Sequence, residues 1–151
     1  MSLHAVDVIW SKGEADFAGN RYSRAHVWRF DGGIEVPASA SPGVVPAPLS
    51  RPDAVDPEEA FIAAISSCHM LWFLDFARQA GLSVGHYHDR AEGRLTMSGG
   101  KVWIPRVTLN IRVTWAGTPP DVAAHDALHH KAHAACFIAN SVRTEIVHNL
   151  L

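Results

Sequence analysis

Residues 56–81, DPEEAFIAAISSCHMLWFLDFARQAG, decide how this chain folds. Asp56 supplies an acidic N-cap, Pro57 occupies the first helical position where a missing N–H costs nothing, and Glu59 stands at the capping-box position beside Glu58. The spacing predicts a helix to about Ala80, with Gly81 as its stop. Phe61, Ile65, Cys68, Trp72 and Phe76 recur at helical steps, so the stripe expected to pack includes Cys68. The apolar run from Ala60 to Leu74 ends at Asp75, short of the roughly 20 residues of a membrane span, and reads as a core helix.

On the N-terminal side of this helix lies a proline-punctuated stretch. Six prolines from Pro37 to Pro57 suit neither a helix nor a central strand and imply a long loop. Before it, residues 5–10 and 22–30 read as strands. In the second, Tyr22, Arg24, His26, Trp28 and Phe30 share one face, and a turn at Asp31-Gly32-Gly33 leads to an extended Ile34-Glu35-Val36.

Beyond Gly81, Arg94–Ser98 and Val102–Trp115 read as a hairpin around Ser98-Gly99-Gly100. The second arm alternates: Val107, Leu109, Ile111, Val113 and Trp115 on the core face, Thr108, Asn110, Arg112 and Thr114 on the wet one. Thr118-Pro119 opens a second helix carrying His125, His129, His133 and Cys136 before Asn140, and Val142–Val147 can form a last strand. This order describes an α+β domain with helices on one side of an antiparallel sheet.

The size and composition are those of a single domain over 1–151. The 151 residues are 48% apolar and 19% charged, enough to bury a core without metals or crosslinks. A net charge of −2 without a basic run excludes nucleic acid or an anionic membrane as the main partner. The first residues, MSLHAVDVIWSKGEAD, lack the pattern of a secretory signal, which points to the cytoplasm and to thiols kept reduced.

Cys68 and Cys136 are the two cysteines, each in an apolar, helix-patterned stretch. A thiol attacks as thiolate, and apolar surroundings disfavour that charge, so a reactive Cys68 needs a cation nearby. Arg21, Arg24 and Arg29 are candidates, and Glu58 or Glu59 could hold a guanidinium by bidentate contact. Thiolate attack on a peroxide O–O bond yields a sulfenic acid, which a second thiol turns into a disulfide. Inert buried cysteines are the competing reading.

DPEEAFIAAISSCHMLWFL resembles the signature helix of the OsmC/Ohr family. HKAHAACFIANSVRTEI resembles that family's second-cysteine helix, and YSRAHVWRFDGGIEVPASASP its N-terminal segment in an OsmC-like branch. The resemblance implies an intertwined homodimer with the α+β OsmC-like fold: an antiparallel sheet, a long central helix carrying Cys68 and a second helix carrying Cys136. It implies thiol-dependent reduction of hydroperoxides, organic ones especially, with Cys68 peroxidatic, Cys136 resolving, and re-reduction by an external dithiol. Glu58 matches the acidic partner of a catalytic arginine, and Arg24, with Arg21 as the other choice, matches that arginine. No cofactor is implied. Ten residues of straight helix separate Glu58 from Cys68 by about 15 Å, so an arginine must span the gap or the helix must bend near Ala63-Ala64.

Three groups of residues invite other readings. Helical neighbours diverge by about 100°, so His69 is not expected to act as base for Cys68. His125, His129, His133 and Cys136 have spacings that could hold a metal, but a solvated helix face is the better reading of His125 and His129 in a chain with ten histidines. Trp28, Trp72, Phe73 and Phe76 could line an apolar pocket for the organic part of a peroxide. The same pocket with inert thiols would make the protein a binder of a small hydrophobic ligand.

Overall fold

The computed structural model describes residues 2–151, which divide into two compact units, Met1–Ala60 and Phe61–Leu151. In the first unit β1 (Val6–Ile9), β2 (His26–Phe30) and β3 (Glu35–Ala38) form an antiparallel meander in that order. Gly33 turns β2 into β3 with a positive φ of 83°, the conformation a side chain resists. β3 lies at an edge of the sheet, where Pro37 can be accommodated.

The proline-rich segment after β3 is tied down by its own backbone. Ser39 N–H donates to the Val55 carbonyl at 3.0 Å, Val55 N–H to the Pro37 carbonyl at 3.1 Å, and Arg51 N–H to the buried Ser39 hydroxyl at 2.9 Å. These bonds satisfy backbone groups that proline leaves without a ladder.

α1 spans Pro57–Gln79 and starts as the sequence dictates. Glu59 N–H donates to the Asp56 carboxylate at 2.8 Å while Asp56 N–H donates to the Glu59 carboxylate at 3.2 Å, a reciprocal capping box. At the far end Gly81 adopts φ +75°, with Leu82 N–H bonded to the Ala77 carbonyl and Gly81 N–H to the Arg78 carbonyl, each at 3.0 Å. That pattern closes the orphaned carbonyls of the last turn.

The second unit is built on β8 (Arg106–Trp115). β9 (Glu145–Leu150) runs parallel along one edge of β8, and β4 (Val84–Asp89) followed by β5 (Glu92–Gly93) runs antiparallel along the other. β6 (Thr96–Ser98) and β7 (Lys101–Trp103) make a separate small hairpin. α2 (Val122–Ala135) connects β8 to β9, its N-cap Asp121 accepting from Ala124 N–H at 2.8 Å.

The sheet is therefore mixed rather than antiparallel. The hairpin expected between Arg94–Ser98 and the whole of Val102–Trp115 stops at Trp103, because Ile104-Pro105 interrupts the arm and releases β8 to pair elsewhere. The second helix starts at Val122 and ends before Cys136, shorter at both ends than the sequence implied, and Ala139–Ser141 forms a 3-10 turn before β9.

The core face of β8 matches its alternation. Val107, Leu109 and Ile111 are buried against Ile65, while Val113 and Trp115 pack with Phe73 and Ala77 of α1 and Leu128 and Ala132 of α2. Both helices thus cover one face of the strand. α1 has the length and apolarity to cross a bilayer, yet here it serves as the central helix of that core.

The buried face of α1 is rotated from the expected stripe. Ile65, His69, Phe73 and Ala77 are the buried residues, at uniform steps of four, and Cys68 lies beside that line, half-buried. The displacement has a physical cause in His69: its polar ring is accepted in the core because a second buried ring satisfies it.

Candidate functional site

Cys68 projects from the middle of α1 and Cys136 occupies the C-cap of α2, with only 1% of the latter exposed. The Cys136 N–H still donates to the His133 carbonyl at 3.3 Å, and its Sγ accepts from Ala139 N–H at 3.3 Å. Both cysteines are free thiols. Burial first, and the neighbouring Cys68 second, push the Cys136 thiol up to about 11. The second thiol is therefore held in its protonated form beside Cys68.

An aromatic shelf borders the two sulfurs. Trp72, one turn beyond Cys68, stacks on Phe76 with ring centroids 5.5 Å apart and meets Phe137 edge-on at 5.5 Å. Phe137 follows Cys136 directly and is 70% exposed. It was not among the aromatics singled out from sequence, although its place beside the second cysteine was a usable signal. Phe73, which was, lies wholly inside the core. Trp28 is in the first unit, where its indole N–H donates to His26 at 3.0 Å.

The arginines of the first unit differ in their engagements. Arg21 pairs with Asp16 and Arg29 with Glu35, whereas Arg24 donates to the Tyr22 carbonyl at 2.6 Å and to the Asn20 side chain at 2.5 Å, with its guanidinium 3.8 Å above the Tyr22 ring. Among the described residues, neither Arg24 nor Glu58 takes an ion-pair partner. Glu58 sits half-buried in the first turn of α1.

The reading of His125 and His129 as a solvated face is overturned. His129 is fully buried, its ring stacked on Phe73 at 4.1 Å, and a chain of imidazoles runs His69 Nε2 to His129 Nδ1 at 3.0 Å and His129 Nε2 to His125 Nε2 at 3.2 Å. His125 is half-buried, and only His133 of the three is exposed. The set His125, His129, His133 and Cys136 thus does not converge as ligands on one helix face. His69 points into this chain, away from any role as base for Cys68.

Burial, with the neighbouring histidines as the lesser cause, lowers His69 to about 4 and His129 to about 3. Each folded value lies below the ordinary 6.5 of an unfolded chain, so both rings are neutral in the native state. Stability is complete above pH 6.5 and falls as the pH drops from there toward 4, where the unfolded chain binds protons that the folded one refuses. The expected slope is up to about 1.4 kcal/mol per pH unit for each ring. Urea midpoints measured from pH 7.5 to 4.5 test this, and a flat profile would contradict a neutral buried chain.

The family profile for OsmC-like proteins matches residues 50–150, which include both cysteines. The chain belongs to the OsmC-like family. An OsmC-like protein of unknown function from Vibrio cholerae is 49% identical over 100% of both chains, with a TM-score of 0.96. More distant structures share the fold of this OsmC-like protein. An organic hydroperoxide resistance protein from Elizabethkingia anophelis is 18% identical over 99% of this chain and 94% of its own, with a TM-score of 0.72. The organic hydroperoxide resistance protein OhrB of Bacillus subtilis is 17% identical over 99% and 98%, with a TM-score of 0.68. Curated proteins give no match.

Proposed function

We propose that this OsmC-like protein is a thiol-dependent peroxidase acting on hydroperoxides, organic ones above hydrogen peroxide. The observation that carries the proposal is the nearness of the two free thiols, close enough for Cys68 to raise the Cys136 thiol. In the first step the Cys68 thiolate attacks the distal peroxide oxygen. The O–O bond breaks, the alkoxide leaves as alcohol after taking a proton, and Cys68 becomes a sulfenic acid. In the second, Cys136 sulfur displaces hydroxide from that acid, forming the disulfide and releasing water. An external dithiol then reduces the disulfide and is itself oxidised.

The difference between the two thiols supports this division of roles. Cys136 is buried and holds its proton, which suits a group that must wait for sulfenic acid, while half-buried Cys68 is open to a small oxidant. Trp72 and Phe137 offer apolar surface to an alkyl or aryl substituent. Arg24 is the proposed cation for the thiolate and Glu58 its carboxylate clamp, neither of them in an ion pair among the described residues. Exposed Leu71, at 61%, and Phe137 are apolar surfaces suited to a second copy of the chain, in keeping with the homodimer implied by the family. A cycle regenerated by dithiols suits the cytoplasm.

One equivalent of tert-butyl hydroperoxide added anaerobically to the reduced protein is expected to consume both thiols, lower the intact mass by two hydrogens, and be reversed by dithiothreitol. Full retention of both titratable thiols after excess peroxide would refute the peroxidase and favour a binder of hydrophobic ligands with inert cysteines.

A further inference from the structure

Away from the two sulfurs, Asp126, His130 and His148 bring one carboxylate and two imidazoles together, their donor atoms all within 4.8 Å of one another. We propose that these three residues form a binding site for a divalent transition cation of the zinc type. Asp126 and His130 lie one turn apart on α2, and His148 comes from β9, where its pairing with Leu109 of β8 fixes its position along the strand. Two elements of secondary structure thus hold the donors, rather than a loop.

The distances suit an ion. Asp126 Oδ1 lies 2.8 Å from His148 Nε2, and Asp126 Oδ2 lies 3.2 Å from His130 Nε2. With metal–ligand bonds of roughly 2.0–2.2 Å, adjacent ligands sit roughly 2.8–3.1 Å apart around an octahedral ion and roughly 3.3–3.6 Å around a tetrahedral one, so both carboxylate–imidazole separations lie near that range and the donor set, now within 4.8 Å, closes around the cation as it enters. Each imidazole then presents its Nε2 lone pair, its proton shifting to Nδ1 or passing to solvent.

The site is anchored on one side and open on the other. The His148 side chain is 14% exposed and backed by the His129 ring at 5.2 Å, whereas Asp126 and His130 are 45% and 70% exposed. Water can complete the coordination. Two nitrogens and a single carboxylate select zinc, cobalt, nickel or copper over magnesium or calcium, which require more oxygen ligands.

The full-length protein, reduced, stripped with chelator and desalted, is titrated with zinc chloride by calorimetry and with cobalt chloride by visible absorption. The expected result is one equivalent of zinc per chain, a cobalt spectrum without thiolate charge transfer, and a melting temperature about 5 °C higher at zinc a hundredfold above Kd. His130→Ala, at an exposed position, is expected to leave the metal-free melting temperature unchanged and weaken zinc binding by ten- to a hundredfold, and Asp126→Asn to do the same. Absence of zinc binding at about 100 μM, or binding untouched by His130→Ala but lost in Cys68→Ser, would overturn the site. Neither result bears on whether peroxide oxidises the thiols.

Discussion

Cys68→Ser is expected to abolish peroxide consumption, lowering the rate by at least about a thousandfold, because a serine hydroxyl keeps its proton at neutral pH and attacks O–O bonds poorly. Cys136→Ser is expected to behave differently. Its Cys68 is expected to react once, but the sulfenic acid should persist and be trapped with dimedone, since the proposed resolving thiol is gone. Coupled assays with an external dithiol and intact-mass trapping distinguish the two variants. Peroxidase activity surviving at more than a tenth in Cys68→Ser would remove Cys68 from the nucleophile's role and the proposed cycle with it.

The second large effect concerns stability. His129→Ala deletes a ring that fills the space beside Phe73 and bridges His69 to His125. The cavity and the orphaned partners together are expected to cost about 3–5 kcal/mol. His129→Leu refills most of the volume but leaves His69 and His125 without their partner, so a smaller loss of about 1–3 kcal/mol is expected. Urea denaturation at pH 7.5 provides both values. A loss below about 1 kcal/mol for the alanine variant would mean that the imidazole chain is not a packed, satisfied part of the interior.

These two sites differ in how openly the sequence displays them. The cap and stop signals around α1 are local, encoded in Asp56, Pro57, Glu59 and Gly81, and the structure reproduces them within a residue or two. The alternation of β8 is local too, and Val107, Leu109 and Ile111 face the core as read. The phase of α1 is not local. Periodicity counts histidine as polar, which moved the expected stripe onto Cys68, whereas His69 is accepted inside because His129, 60 positions away, accepts or donates its hydrogen bond. The same long-range pairing hides His129, whose spacing on α2 looks like a solvated face.

β4 escaped the sequence reading for a related reason. Its stretch Val84–Asp89 alternates exposed His86 and His88 with half-buried Tyr87 and Asp89, so apolarity alone does not mark it. Asp89 accepts from Ser66 of α1 at 2.5 Å, a contact that exists once helix and strand are docked. Parallel pairing of β9 with β8 is likewise a property of the assembled sheet, because the crossover through α2 decides the direction in which the last strand returns. For the candidate site, the helical contexts of Cys68 and Cys136 were legible in the sequence, while Phe137 and the Asp126, His130 and His148 cluster required the return of the chain.

Cys136 terminates α2 instead of lying within it, and this has a mechanical consequence. A sulfur in a helix interior is carried on a beam that resists rotation, whereas one at the cap sits at a joint, where the backbone has already left helical dihedrals. Drawing that sulfur toward Cys68 can be absorbed by the short turn Ala139–Ser141, whose Ala139 amide donates to it. In the proposed cycle, bond formation and release would then alternate many times without unwinding the helical body, and the joint would limit wear on the fold.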